Sequence, residues 1–89
     1  MTPLHQTSPN DLLREEIAQS LASALRLARA VAVQLESLHA AHANLPPTTI
    51  RNQTAEICAC LSITHRFANM ANSFATLLDL QHEQGGPTP

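Results

Sequence analysis

Asn44-Leu45-Pro46-Pro47-Thr48-Thr49 stands near the middle of the chain and constrains its fold more than any other stretch. Two successive prolines withhold two backbone donors, and the residue before each is pushed out of helical geometry. A helix therefore cannot run through this point. Proline does suit the first turn of a helix, so the next one can begin at Pro46, Pro47 or Thr49, and the pattern does not choose among them.

Upstream, Ser8-Pro9-Asn10-Asp11 reads as a helix start: a serine cap, a proline at the first helical position and an acid three residues after the cap. Apolar residues then recur at Ile17, Leu21, Ala24, Ala28, Val31, Leu35 and Leu38, alternately four and three apart, as one stripe on a helix does. Leu13, Leu25, Leu27 and Ala32 widen it. The expected first helix covers about 9–43 and the turn 44–48. Downstream, a second stripe runs through Ile50, Ile57, Cys60, Thr64, Phe67, Ala71, Phe74 and Leu78, flanked by Leu61, Ile63, Met70 and Leu77. Gly85-Gly86-Pro87 ends it, so the second helix is expected over about 49–83. Residues 8–84 form one helical hairpin domain in this reading, with flexible tails at 1–7 and 85–89.

Composition agrees with an all-α fold. Fourteen Ala and thirteen Leu, with two Phe and no Tyr or Trp, suit close helix packing better than sheets. Two helices of roughly 35 residues, each about 50 Å long, joined by a short proline-rich turn, should fold back on each other as an antiparallel hairpin. Both apolar faces are broader than a single seam, so one hairpin covers only part of them. A second copy would cover the rest as a four-helix bundle around a two-fold axis. The expected dimer core is Ile17, Leu21, Ala24, Ala28, Val31, Leu35 and Leu38 of the first helix with Ile57, Cys60, Phe67, Ala71, Phe74 and Leu78 of the second. The competing arrangements are a bare two-helix coiled coil and a hairpin that hides its face on a different protein.

Cys58 and Cys60 invite a metal or redox reading, which helical geometry opposes. Residues two apart point about 200° away from each other, and His65, seven residues beyond Cys58, is roughly 10 Å off. Zinc ligands must converge to about 2.0–2.3 Å from the ion. Cys60 is read as a small core hydrophobe and Cys58 as an outer-face residue. His39 and His42 share a helix face and could supply half of a metal site, but the turn brings them level with Arg51 to Thr54, where no Cys, His or carboxylate occurs. They are read instead as imidazoles favoured near a helix C-terminus. The only glycines lie at Gly85 and Gly86, so no phosphate loop is present. No metal, no cofactor and no catalytic residues are expected.

Two surface features remain. Ala55, Ala59, Ser62, Arg66, Asn69, Ser73 and Thr76 form an outer stripe of the second helix, and no charge occurs between Arg66 and Asp79. Small neutral side chains permit close approach by another helix, which makes this a candidate partner surface; a low-charge face on an Ala-rich protein is the plain alternative. Arg26, Arg29 and Arg66 come to a similar level when the hairpin folds, and none has an acid three or four residues away, so they form a candidate patch for an anion or an acidic partner. Interhelical acids or solvent would satisfy them equally.

The net charge is −2, with five arginines and no lysine, which opposes general nucleic-acid binding. The beginning of the chain lacks a secretory pattern, two cysteines are too few for a disulfide framework, and no uncharged run is long enough for a bilayer. The expectation is a cytoplasmic, non-enzymatic interaction module: a regulator, inhibitor or chaperone-like adaptor that dimerises and docks on a partner protein. The alternative is a small helical RNA- or DNA-associated regulator that uses the arginine patch.

Overall fold

The computed structural model describes residues 8–84, and the tails expected at 1–7 and 85–89 lie outside them. The described chain is two α-helices packed against each other: α1 over Pro9–Ala41, a single 3₁₀ turn over His42–Asn44, and α2 over Pro47–Gln84. No strand occurs among the described residues.

Each helix end follows from local chemistry. Ser8 adopts an extended backbone and its Oγ accepts from the Asp11 N–H at 3.1 Å, with Pro9 in the first turn. The α-helical part of the first segment ends at Ala41, two residues short of the expected stop, because the chain tightens into 3₁₀ geometry before the prolines. The Leu45 N–H then bonds back to the His42 carbonyl at 3.3 Å. Leu45 is extended, as a residue before proline must be. Pro47 opens α2, whose first backbone bond runs from the Ile50 N–H to the Pro46 carbonyl at 3.1 Å. The choice left open by sequence among Pro46, Pro47 and Thr49 thus falls on Pro47.

The helices meet along one seam. On α1 the buried or half-buried residues are Leu13, Ile17, Ser20, Ser23, Ala24, Leu27, Val31, Leu38 and Ala41; on α2 they are Thr49, Ile50, Ile57, Cys60, Thr64, Phe67, Ala71, Phe74 and Leu78. Apart from Thr49, the α2 members are the stripe read from its sequence. On α1 the row differs: Leu21, Ala28 and Leu35 are exposed, and Ser20 and Leu27 take the inward places.

The phenylalanines explain the difference. Val33, Gln34 and Ser37 border one open groove with Gln53, Glu56 and Ile57, and Asn10 and Arg14 border another with Ala75, Leu78, Asp79 and His82. Extending that register along the seam sets Val31 level with Cys60, Ala24 with Phe67, Ser20 with Ala71 and Ile17 with Phe74. Small Ala24 leaves room for the Phe67 ring, and Ser20 opposite Ala71 lets the helix axes approach, whereas a row through Leu21 would crowd them. The Thr64 hydroxyl, on the seam opposite Leu27, donates to the Cys60 carbonyl at 2.9 Å and so enters a part-buried site already paired.

Candidate interaction surfaces

A two-helix hairpin cannot enclose much. Ala24, Val31, Ile57 and Ala71 are the buried hydrophobic residues, and no large side chain is fully enclosed among the described residues. The grooves beside the seam are shallow and open, about 320 Å³ at Val33 and Ile57 and about 270 Å³ at Arg14 and Asp79.

The residues singled out from sequence distribute as follows. Ala55, Ala59, Ser62, Arg66, Asn69, Ser73 and Thr76 are all exposed along the back of α2. The Thr76 hydroxyl folds onto the Asn72 carbonyl at 2.8 Å, which leaves its methyl group outward on an already bland surface. Arg26, Arg29 and Arg66 are exposed as well. By helical phase, Arg26 and Arg29 are three residues apart and so lie about 60° from each other around α1, both away from the seam, with Arg66 of α2 at a similar level along the hairpin. Arg26 Nη2 lies 3.4 Å from Ser23 Oγ, a long contact within its own helix.

Cys58 is exposed and Cys60 lies half-buried on the seam, both as free thiols. Cys58, Leu61, Ser62, His65 and Arg66 surround one shallow depression on α2. Cys58 and His65 stand two helical turns apart there, roughly 10 Å along the axis, too far for a nucleophile–base pair. Cys58→Ser should leave thermal stability within about 0.5 kcal/mol, as exposed substitutions do. Cys60→Ser should lower it by about 1–3 kcal/mol by placing a hydroxyl on the seam. Thermal melts of the two variants check this, and equal stability would show that Cys60 does not pack as a hydrophobe.

His39 and His42 do come together. Their rings stack with centroids 5.9 Å apart, and His42 Nδ1 is 2.6 Å from the His39 carbonyl oxygen. A carbonyl can only accept, so Nδ1 carries the proton and closes the end of α1, a position imidazole favours against the helix dipole. Among the described residues no three His, Cys, Asp or Glu side chains converge into a metal-ligand set.

The sequence reading treated the apolar surplus as one broad face, whereas the structure divides it. Leu21, Leu25 and Leu35 of α1 are exposed at 52%, 51% and 48% on one flank of the seam, with Leu61 of α2 beside them. Ile63, Met70 and Leu77 of α2 are exposed on the opposite flank, with Val33 of α1. The signal was present in sequence: Leu21, Leu25, Ala28, Ala32 and Leu35 keep a four-and-three rhythm of their own, and all but Leu35, which follows the exposed Gln34, stand one residue after a seam residue. No described helix is long and apolar enough to cross a membrane. Comparison with protein families, curated proteins and solved structures finds no match to this chain.

Proposed function

We propose that this chain is a small non-enzymatic interaction module, a regulator, inhibitor or chaperone-like adaptor, that pairs with a second copy as a four-helix bundle and docks on a partner protein. One observation carries the reading: among the described residues four hydrophobic ones are buried while ten large ones stay between 43% and 64% exposed. Full burial of such a side chain is worth about 1.5–3 kcal/mol, so half-exposed ones leave on the order of 10 kcal/mol per chain unrealised. For a domain whose whole stability is about 5–15 kcal/mol, that surface calls for a cover. The outer stripe from Ala55 to Thr76 remains free in such a bundle and offers a partner a close, uncharged approach. The grooves beside the seam are open rather than enclosed, which suits binding a partner better than sequestering a reaction. Two free thiols fit the cytoplasm, where reduced cysteines persist.

The first test is mass. Light scattering at micromolar concentration should give twice the 9.6 kDa chain mass. A value of 9.6 kDa would remove the homodimer and leave a hairpin that needs a different protein to cover it. Titration with bulk nucleic acid at low salt should show no binding; saturable, salt-sensitive binding would instead favour the arginine-patch regulator.

A further inference from the structure

We infer that the second copy docks on the leucine flank of α1, with the two α1 helices antiparallel about a two-fold axis that passes beside Ala28. This rests on the homodimer reading and assigns its interface. The row Ala18, Leu21, Leu25, Ala28, Ala32, Leu35 is wholly exposed and carries no charge from one end to the other. It is also symmetric about its centre. Leu21 and Leu35 lie equally far on either side of Ala28, and Leu25 mirrors Ala32 to within one residue. An isologous interface needs this kind of self-complementarity. Antiparallel pairing sets Leu21 against the partner's Leu35, Leu25 against the partner's Ala32 and Ala28 against the partner's Ala28, where small side chains let two helices cross closely.

The alternatives are poorer. The matching row of α2 alternates Leu61, Ala68 and Ala75 with the polar or weakly polar Cys58, His65 and Asn72, which suits a rim around an apolar centre. The opposite flank is interrupted by Glu16 and Arg26 on α1 and by Glu56 and Arg66 on α2. Size agrees with a stable dimer. From Arg14 to His39 the flank runs about 37 Å at 1.5 Å per residue and about 20 Å across two helices, roughly 750 Å², against about 800 Å² per partner in standard interfaces. Parallel pairing would stack Arg14 on its own copy, whereas the antiparallel form places it beside the partner's His42.

The test uses the full chain carrying Cys58→Ser and Cys60→Ala, with one new cysteine at a time and a mild oxidant. Ala28→Cys should convert most of the protein to a disulfide-linked dimer on a non-reducing gel, and Ala30→Cys should link at least tenfold more slowly. Leu25→Glu should lower the light-scattering mass to 9.6 kDa, while Met70→Glu on the opposite flank leaves it doubled. Circular dichroism confirms helix content in each, and the cross-link decides the matter even where Leu25→Glu loses structure. A wild-type dimer that Ala28→Cys fails to link and that Met70→Glu dissociates overturns this interface and leaves the homodimer standing. A wild-type monomer removes both.

Discussion

Phe67→Ala should lower the melting temperature by roughly 12–24 °C. Phe67 is half-buried on the seam and stands level with Ala24, which is too small to fill the space that the ring leaves. Truncating a core phenylalanine costs about 3–5 kcal/mol. The lower end applies to a ring that keeps some exposure, and each kcal/mol moves the midpoint of a domain this size by about 4–8 °C. The temperature should also depend on protein concentration, rising as the sample is concentrated, because association and folding are linked in a dimer. The same drop without concentration dependence would show that the seam matters and that the hairpin stands alone. A drop of only a few degrees would mean that Phe67 is not a packing residue.

Val31→Asp should abolish the cooperative transition. Val31 is 3% exposed on the seam and level with Cys60, with no cation on that row to accompany a new carboxylate. An unpaired buried charge costs at least about 4 kcal/mol, most of what a small domain possesses. Val33→Asp provides the contrast, since Val33 is 64% exposed only two residues away and the two side chains point about 200° apart. Its effect should stay within about 0.5 kcal/mol, because both residues have similar helix propensity. Far-UV circular dichroism at 25 °C and a thermal melt separate the two at once. Comparable losses from both would contradict the facing assigned to α1.

The all-helical hairpin was legible because its signals are local. Ser8 caps the Asp11 N–H as its spacing announces, and the paired prolines force the break that they imply. The inward row of α2 was legible too, because polar residues such as Arg51, Asn52 and Glu56 leave it a single apolar stripe near its start and the phenylalanines mark the rest. On α1 the same method mixed two rows. Apolar residues occupy neighbouring positions there, so the spacing accepts Leu21, Ala28 and Leu35 as readily as Ser20 and Leu27, and nothing in one helix says that a serine goes inward. That choice depends on what stands opposite, and Ser20, only 4% exposed, lies on the seam at the level of Ala71.

The two rows of α1 also bear on how uniquely the hairpin is folded. Because Leu21, Leu25, Ala28 and Ala32 each follow a seam residue by one, turning α1 by about 100° around its own axis would present them, with Leu35, to α2. An isolated hairpin would therefore have a rotational competitor, and what separates the two states is chiefly the fit of Phe67 against Ala24 and of Phe74 against Ile17. Occupying the outer row removes the competitor, since leucines engaged elsewhere are no longer free to swing inward. A second copy or partner seated on that row would lock the azimuth of α1, and conformational specificity in this chain would then be shared between the hairpin and its cover.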